Sequence, residues 1–472
     1  MATREIKFGT DGWRAIIAED YTFENVRACA QGVANYLHDT GGDKGGLVVG
    51  YDTRFGSEHF AAAVAEVVAA SGIKVYLCDR ACPTPVASFS ILDRHAGGGV
   101  VITASHNPGT YNGFKYKPEY AGSASPEVVT ELELRIAAVQ RTGPVAPGKP
   151  ARAPIERIDA LTPYLHHLAK LVDVEAIKRA PLNIVIDSMY GAGIGIFRQL
   201  LDGSRIKVSE IHGERNPAFP GFAQPEPIGP NLGPLTEAIR KQHADGGLAT
   251  DGDADRLGVM DENGKFVTQL QTISLLALYF LDSLGQRGPL VKSITTSSMM
   301  FRLGELYTVP VHETAVGFKY IGPVMMKENA LMGGEESGGY AFRGHIPERD
   351  GIISGLYILA MMAKLGTKPS QLLEYLYSKV GPHYYDRIDL AFTPGQQGVI
   401  RERVATSRPA SLAGSKVVSI DTLDGFRFRL EDGSWALVRF SGTEPLLRIY
   451  CETSSEDRVK QILQETRQIT GV

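Results

Sequence analysis

Short apolar runs alternate with segments rich in Ala and Val along this chain, and polar loops stand directly after the runs. Residues 47–51, LVVGY, predict a buried strand, and residues 58–70 predict a helix with Ser57 as its N-cap. The same order restarts near residue 183, where residues 191–193, GAG, are expected to open a helix. Strands that alternate with helices predict sheets with helices on both faces. Because ligands gather at the carboxyl ends of such strands, functional residues are expected in these loops.

The chain divides into four predicted domains. A length of 472 residues is more than a single hydrophobic core usually serves. A stretch rich in Pro, Gly, Ala and Arg, residues 141–154, interrupts the rhythm, and the tail contains short strands, the hairpin signal EDG and a final helix. The predicted fold is α/β, with three consecutive α/β domains that have mixed sheets and then a C-terminal α+β domain. The expected domains are 1–150, 151–256, 257–378 and 379–472.

Composition and charge exclude several classes of protein. A formal net charge of -4 offers no basic surface for nucleic acid or an anionic membrane. The longest apolar stretches, residues 273–281 and 352–363, are shorter than a membrane span, and no targeting segment is expected. Four cysteines without a Cys/His cluster predict reduced thiols in a cytoplasmic protein rather than a disulfide scaffold or a zinc site.

The segment DGDADR, residues 251–256, places carboxylates at every second position, at Asp251, Asp253 and Asp255. Carboxylates this close repel one another unless a cation lies between them, and three hard oxygen ligands suit Mg²⁺. A calcium-binding EF-hand is one rival interpretation, but Arg256 stands where that loop needs glycine, and the flanks predict strands. A solvated acidic turn is the other rival. A Mg²⁺ site is favoured, with Arg256 beside it for a phosphoryl or sugar oxygen.

Two further loops carry groups that bind phosphate and hydroxyls. RFSGTEP, residues 439–445, offers hydroxyls and backbone amides, and Arg439 and Arg448 add forked donors that fit phosphate. GGEESGGY, residues 333–340, offers carboxylates that accept hydrogen bonds from sugar hydroxyls. Taken singly, the first is also compatible with a hairpin loop that has incidental arginines, and the second with a flexible acidic turn.

The segment TASHNPGTYNGFK, residues 103–115, follows the apolar run GVVI and contains Ser105. A hydrolase serine needs an orienting acid and an oxyanion hole, but no G-x-S-x-G elbow surrounds Ser105, and the adjacent His106 is poorly placed to accept its proton. Taken alone, the segment is divided between a turn and a nucleophile. Together with the three other loops it predicts phosphoryl transfer on a phosphorylated polyol, because a metal and cations neutralise the moving phosphoryl group.

These motifs, in this order, resemble those of the α-D-phosphohexomutases, the phosphoglucomutase/phosphomannomutase family. FGTDGWRA, residues 8–15, is similar to the N-terminal arginine loop of the family, and residues 103–115 to its phosphoserine loop. DGDADR is similar to the metal loop, GEESGG to the sugar loop and RFSGTEP to the phosphate loop, while FPGFAQPEP with Asn231 and Leu232 resembles the second-domain loop. The resemblance covers nearly the whole chain and implies four domains around a central cleft.

The resemblance also implies roles for individual residues. Ser105 would carry a phosphate, and Mg²⁺ would bind that phosphoserine together with Asp251, Asp253 and Asp255. The residues expected around the transfer site are Arg14, His106, Lys115 and Arg256. Those expected to hold the sugar are Gly317, Lys319, Glu335, Ser337, His345 and Arg349, and those expected to grip the second phosphate are Arg439, Ser441, Gly442, Thr443 and Arg448. Lys115 is favoured over His106 as the proton acceptor, on the expectation that cationic neighbours lower its pKa.

The expected reaction is that of a phosphoglucomutase, which interconverts glucose 1-phosphate and glucose 6-phosphate through glucose 1,6-bisphosphate, an intermediate and activator. Gly339 stands where dual-specificity members and phosphoglucosamine mutases typically have histidine, and residues 344–351, GHIPERDG, are similar to glucose-specific members. A phosphomannomutase, a dual-specificity enzyme and a phosphoglucosamine mutase are the alternatives within the family. A metal-dependent phosphatase and a phosphosugar-binding regulator are the alternatives outside it. The expected partners are small phosphosugars, for a monomer or small homo-oligomer.

Overall fold

Four β-sheets organise the chain, and each follows the last in sequence. The computed structural model describes residues 5–9, 11–143, 146, 150–203, 205–441 and 446–472. Three sheets are mixed and the last is antiparallel throughout. The predicted fold class, three α/β domains followed by a small α+β domain, is therefore confirmed.

The first sheet has six strands in the order β1-β5-β4-β2-β3-β6. Its strands are β1 (Trp13–Ile16), β2 (Leu47–Tyr51), β3 (Val75–Cys78), β4 (Gly98–Ile102), β5 (Tyr111–Pro118) and β6 (Ile155–Ile158). Its helices are α1 (Phe23–Thr40), α2 (Ser57–Ala70), α3 (Thr84–Asp93) and α4 (Pro126–Thr142). Strands β2, β3, β4 and β6 are parallel, whereas β5 is antiparallel to β4 and β1. Because β6 pairs with β3, this sheet extends beyond the boundary expected at residue 150.

The second sheet has the order β11-β10-β9-β7-β8. Its strands are β7 (Asn183–Asp187), β8 (Lys207–Ile211), β9 (Gly246–Thr250), β10 (Leu257–Met260) and β11 (Phe266–Val267). Its helices are α5 (Leu161–Leu171), α6 (Val174–Arg179), α7 (Ile196–Leu201) and α8 (Gly233–Gln242). The DGDADR segment is the loop of the antiparallel β9–β10 hairpin, so β10 and β11 belong to this sheet and not to the next domain, as the expected boundary at residue 256 had it.

The third sheet has the order β13-β12-β14-β15. Its strands are β12 (Leu290–Ser293), β13 (Val311–Thr314), β14 (Met332–Gly334) and β15 (Tyr340–Phe342). Its helices are α9 (Gln269–Leu278), α10 (Met299–Tyr307), α11 (Phe318–Glu328), α12 (Gly351–Leu365) and α13 (Pro369–Val380). The β14–β15 hairpin loop contains Glu335 and Ser337, at the same edge of the sheet as the segment after β13, because β12, β13 and β14 are parallel.

The fourth sheet has the order β16-β21-β20-β19-β18-β17 and is antiparallel. Its strands are β16 (Tyr384–Ala391), β17 (Ser411–Leu412), β18 (Ser415–Asp421), β19 (Phe426–Leu430), β20 (Trp435–Phe440) and β21 (Leu446–Thr453). Its helices are α14 (Gln397–Thr406) and α15 (Glu456–Thr470). The EDG segment joins β19 to β20 as a hairpin, as predicted. Strand β18 was not predicted from the sequence, because few of its side chains are buried and they lack a clear apolar alternation.

Two predicted helix starts are wrong, and both errors have a tertiary cause. Gly56, not Ser57, is the N-cap of α2, and the Ser57 hydroxyl donates instead to Asp52 Oδ1 at 2.8 Å. Helix α7 begins at Ile196 and not at residues 191–193. There, a Cβ on Gly191 would lie 2.7 Å from the Asp251 carbonyl oxygen, so this glycine serves the close approach of two loops.

The hydrophobic core explains why the loops of three domains meet. One cluster of buried apolar side chains is continuous through the first three sheets and includes Val48, Ile184 and Leu290. The fourth domain has a core of its own and joins the third through a small cluster around Ile294 and Trp435. Among the described residues, no helix has the length and apolar content needed to cross a bilayer.

Candidate active site

Ser105 lies just beyond strand β4, in the loop that leads to β5. Its side chain is buried, and its hydroxyl donates to Asp251 Oδ2 at 2.9 Å. The φ angle of Ser105 is +51°, in the left-handed region that is costly for a residue with a Cβ. The Ser105 amide donates to Thr103 Oγ1 at 2.8 Å. The loop therefore turns back on itself and directs the hydroxyl at the second domain.

The three carboxylates of the DGDADR segment form a buried group that could hold a metal ion. One oxygen from each of Asp251, Asp253 and Asp255 lies within 4.8 Å of the other two. Burial raises the pKa of Asp251, and the charges of Asp253 and Asp255 raise it further. Asp253 Oδ1 and Asp255 Oδ1 are buried and have no hydrogen-bond partner among the described residues. Unpaired buried oxygens fit a site for a hard cation, because only a cation would compensate their desolvation.

Burial and topology also decide between the rival interpretations of this segment. Each of the three aspartates is 0% exposed, which excludes a solvated acidic turn. The segment lies between two strands, β9 and β10, whereas an EF-hand loop lies between two helices. Of the three interpretations, the metal-binding group is the one that agrees with the structure.

Lys115, on β5, faces the three carboxylates from the first domain. Its Nζ lies 2.8 Å from Asp253 Oδ2, 3.4 Å from Asp255 Oδ2 and 2.9 Å from Asp11 Oδ2. Burial lowers the pKa of the Lys115 ammonium, but the charges of Asp11, Asp253 and Asp255 outweigh burial and raise it above its ordinary value. The expectation that cationic neighbours lower the pKa of Lys115 is therefore wrong, because carboxylates surround its ammonium group.

His106, Arg14 and Arg256 lie around the same point. His106 Nδ1 is 3.5 Å from the Ser105 hydroxyl. Burial lowers the pKa of His106, and the charges of Arg256 and Arg14 lower it well below its ordinary range, so the imidazole is neutral near pH 7. Arg14 donates to Asn107 Oδ1 at 2.7 Å, and Arg256 donates to Glu226 Oε1 at 2.5 Å. Two guanidinium groups are thus held next to the serine.

Arg349 connects the sugar loop to the metal group. Its guanidinium lies 3.2 Å from Glu335 Oε1, 2.9 Å from Asp255 Oδ2 and 2.8 Å from Asp11 Oδ2. The Ser337 hydroxyl donates to Glu335 Oε1 at 2.7 Å. Loops from three domains, which carry Asp11, Asp255 and Glu335, therefore meet at one arginine.

His345 does not fit the sugar contact expected for it. Its side chain is 0% exposed, and Nε2 lies 2.8 Å from Asp350 Oδ2 while Nδ1 lies 3.1 Å from His167 Nε2. The ring also stacks with Phe89 of the first domain, at 6.4 Å between centroids. Both nitrogens are engaged in this interdomain cluster, which leaves neither of them for a sugar hydroxyl.

The other predicted sugar residues lie at the edge of the third sheet. Gly317 is the N-cap of α11, with a φ angle of +122°, and Lys319 stands in the first turn of this helix. The Val316 amide, next to Gly317, donates to Asp424 Oδ2 of the fourth domain at 2.9 Å. This segment therefore faces the domain that carries the predicted phosphate loop.

The predicted phosphate loop follows β20 in the fourth domain. Arg439 Nε lies 3.0 Å from Asp424 Oδ2, and Arg448 Nε lies 3.7 Å from Asp389 Oδ2. The Ser441 amide donates to the carbonyl of Leu446 at 2.8 Å. Gly442 and Thr443, which the sequence also assigned to this loop, lie outside the described residues.

Three residues that contact the site were not identified from the sequence. Asp11 contacts Lys115, Lys117 and Arg349, and it belongs to the FGTDGWRA segment, from which only the arginine was selected. Thr84 donates to Asp253 Oδ2 at 2.5 Å from the start of α3, and Glu226 holds Arg256. No local sequence pattern marks these three, since each acts on a residue of another domain or loop.

The fold and the arrangement of loops agree with comparisons to known proteins. Four family profiles match the chain, described as phosphoglucomutase/phosphomannomutase alpha/beta/alpha domains I, II and III and the C-terminal domain, at residues 5–142, 162–264, 269–380 and 399–469. The chain is 34% identical over 97% of its length to a phosphoglucomutase/phosphomannomutase of Thermococcus kodakarensis, of which it covers 96%. The chain belongs to the phosphoglucomutase/phosphomannomutase family.

Relatives of known name and structure place this family member among the α-D-phosphohexomutases, which are isomerase-class phosphotransferases. A protein of Methanothermobacter thermautotrophicus with the name "Probable phosphoglucosamine mutase" is 32% identical over 98% of the chain and 96% of that protein. A crystal structure from Thermus thermophilus, described as a phosphomannomutase, matches with a TM-score of 0.86 and 34% identity over 99% of the chain and 100% of the other. The relatives agree on the class of reaction and differ in the sugar that they are named for.

Proposed function

We propose that this phosphohexomutase interconverts glucose 1-phosphate and glucose 6-phosphate, with Ser105 as the carrier of the phosphoryl group. The observation that carries the proposal is the 2.9 Å hydrogen bond from the Ser105 hydroxyl to Asp251, at the border of the buried carboxylate group. A serine in contact with a cation site is suited to carry a phosphoryl group, because the cation offsets the charge that moves.

Asp251, Asp253 and Asp255 would hold Mg²⁺, with a phosphoryl oxygen on Ser105 completing the site. When bound, Mg²⁺ supplies positive charge to the phosphoryl oxygens as the transfer proceeds. The protein adds to this charge with Lys115 and Arg256, both buried next to the carboxylates. Buried cations of this kind act strongly because little water screens them.

The phosphoryl group passes from Ser105 to the free hydroxyl of a hexose 1-phosphate in the first half of the reaction. The P–O bond to Ser105 breaks, a P–O bond to the sugar forms, and the hydroxyl proton goes to a base. His106 fits the acceptor because its imidazole is neutral and lies 3.5 Å from the serine oxygen. Lys115 fits an electrostatic role instead. The bisphosphorylated sugar then turns over and returns its other phosphoryl group to Ser105.

Glu335, Ser337 and Arg349 would select the sugar, while Arg439 and Arg448 grip the second phosphate. The preference for glucose rests on Gly339 and on the likeness of residues 344–351 to glucose-specific members. Mannose 1-phosphate and glucosamine 1-phosphate are the competing substrates, and the name of the Methanothermobacter relative favours the amino sugar as second candidate.

The test uses purified full-length protein with glucose 1-phosphate, Mg²⁺ and a trace of glucose 1,6-bisphosphate. We expect glucose 6-phosphate to form, faster than the corresponding products from mannose and glucosamine 1-phosphates. Removal of Mg²⁺ with EDTA abolishes turnover, and readdition restores it. Ser105→Ala abolishes turnover and the mass increment of about 80 Da that phosphorylation adds, whereas Ser411→Ala, on the exposed surface of the fourth domain, retains both.

Other outcomes assign other functions. A faster reaction with glucosamine 1-phosphate makes the chain a phosphoglucosamine mutase. Release of inorganic phosphate that outpaces isomerisation indicates a phosphatase. Tight binding of glucose 1-phosphate without conversion indicates a regulator, and any of these three results overturns the phosphoglucomutase proposal.

A further inference from the structure

Arg54, in the loop after strand β2, lies directly behind the segment that carries Ser105. Its side chain is completely buried. The guanidinium donates to four backbone carbonyls of that segment: Nη2 to Ser105 at 2.6 Å and Asn107 at 2.6 Å, and Nη1 to Pro108 at 2.8 Å and Tyr111 at 3.0 Å. One side chain thus binds the main chain at Ser105 and at three points beyond it.

Residues of two domains hold Arg54 itself in place. Asp52 Oδ2 lies 3.2 Å from Arg54 Nε, and Asp52 Oδ1 accepts the Arg54 amide at 2.9 Å. From the second domain, the ring of Phe219 covers the guanidinium at 5.0 Å. Arg215, also of that domain, donates to the backbone carbonyls of Thr53 at 3.0 Å and Arg54 at 3.2 Å. The guanidinium therefore has a fixed position relative to both domains.

The loop needs such a support because its conformation is not one that its residues favour. Ser105 has a φ angle of +51°, and a serine adopts that region only when surrounding contacts impose it. Close packing adds a second constraint, since a Cβ on Gly252 of the metal loop would lie 2.4 Å from the Ser105 carbonyl oxygen. A shift of this carbonyl would move the hydroxyl relative to Asp251 and the other carboxylates.

We propose that Arg54 is a positioning residue for phosphoryl transfer. By holding the carbonyls of the turn, it keeps the Ser105 hydroxyl, or the phosphate on it, aligned with the metal group, without touching the sugar phosphate. The inference rests on the proposed role of Ser105 as phosphoryl carrier. It assigns to Arg54 the rate of transfer and leaves the grip on substrate to the third and fourth domains.

Arginine is required for this geometry, and lysine is not an adequate replacement. The guanidinium presents five N–H donors in fixed directions, whereas one ammonium nitrogen cannot reach four carbonyls at once. Arg54→Lys keeps the positive charge and removes the fork. The variant therefore separates positioning from the electrostatic field that Arg54 exerts on the carboxylates.

The first experiment compares kinetic constants for glucose 1-phosphate. We expect Arg54→Lys to lower kcat by about 10²-fold, because a misplacement on the order of 1 Å has such an effect, and to leave KM within about twofold. Arg94→Lys, at the surface of the same domain, is the matched control and retains the wild-type kcat. An unchanged kcat in Arg54→Lys overturns the proposal.

The second experiment needs no mutase activity. Hydrogen–deuterium exchange of the dephosphorylated protein is measured for a peptide that covers residues 103–111 and for a reference peptide from α4. We expect faster exchange in Arg54→Lys for the first peptide alone. Wild-type exchange there, or a uniform rise in both peptides with a lower melting temperature, contradicts positioning. Faster loop exchange in a protein whose wild type has no mutase activity overturns the proposed function and supports the positioning.

Discussion

At the scale of single residues, the side chain of Arg349 fills the space that a side chain at position 339 would need. A Cβ on Gly339 would lie 2.2 Å from Cδ of Arg349 and 2.5 Å from its Cγ. These atoms lie in the middle of the side chain, so Arg349 could not give way without leaving Asp11, Asp255 and Glu335. The absence of a side chain at Gly339 therefore allows Arg349 to reach all three carboxylates.

Gly339→Ala is expected to displace Arg349 and lower kcat/KM about 10- to 100-fold, since each buried hydrogen bond to a charged group contributes ~1.5–3 kcal/mol. Steady-state kinetics with glucose 1-phosphate measure the effect. Gly233→Ala is the control, because a Cβ there meets nothing within 4 Å. Equal kinetics for both variants would show that Arg349 does not need the space.

Lys115→Met is expected to lower kcat by about 10²- to 10⁴-fold, because it removes a buried cation that lies 2.8 Å from Asp253. Lys115→Arg should not restore the rate, since the wider guanidinium does not fit the same contacts. The surface variant Lys74→Met serves as control. Rapid-quench measurement of Ser105 phosphorylation tests the prediction, and a wild-type rate in Lys115→Met contradicts it.

At the scale of elements, the start of helix α12 ties the third domain to the other two. Asp350 is its N-cap, and its Oδ1 accepts the amides of Ile352 at 2.8 Å and Ile353 at 3.1 Å. The other oxygen accepts the Tyr164 hydroxyl at 2.7 Å, and a Cβ on Gly351 would lie 2.3 Å from the Arg256 carbonyl. A helix cap, an interdomain hydrogen bond and a close approach to the metal loop are thus combined in two consecutive residues directly after Arg349.

Asp350→Ala is expected to lower the free energy of unfolding by about 2–4 kcal/mol, which combines the loss of a cap, ~0.5–2 kcal/mol, with an unpaired buried partner, ~1–3 kcal/mol. Urea unfolding followed by circular dichroism measures it. Asp173→Ala removes the cap of the short helix α6 from an exposed position and should cost about 0.5–2 kcal/mol. Equal costs for the two variants would contradict the interdomain role of Asp350.

At the scale of the whole molecule, buried ion pairs attach the fourth domain to the third. Glu313, on β13, accepts from Lys292 at 2.6 Å and from Arg427 of β19 at 2.7 Å. Burial raises the pKa of Glu313, but Arg427 and Lys292 outweigh it and lower the pKa to about 2. A carboxylate whose pKa is depressed on folding stabilises the folded state above its unfolded pKa, near 4.5, and loses this contribution as pH falls toward 2.

Glu313→Gln is therefore expected to lower the melting temperature most above about pH 5, with a difference from wild type that shrinks steadily as pH falls below about 4.5. Differential scanning calorimetry from about pH 7 to about pH 3 follows the difference. The control is Glu374→Gln, at a partly exposed position of α13, whose effect should not vary with pH in this way. A constant difference for Glu313→Gln across the range would contradict the depressed pKa.

Much of the fold was predictable because it depends on local pattern. The apolar runs identified β2, β7 and β12, and turn chemistry identified the β19–β20 hairpin. The domain boundaries were displaced, since β6 and β10 complete sheets by pairing with strands of the preceding domain. No local signal reports such a partner.

The sequence by itself determined which side chains are available: a serine, three alternating aspartates, a sugar loop with Glu335 and a pair of arginines in the fourth domain. Only the tertiary structure decided their neighbours. It buried the aspartates, surrounded Lys115 with carboxylates, turned His345 into an interdomain contact and brought Arg54 behind the Ser105 loop. The physical reason is that pKa, strain and hydrogen bonding depend on distance in space, and these distances are set by strand pairing and a core shared by three domains.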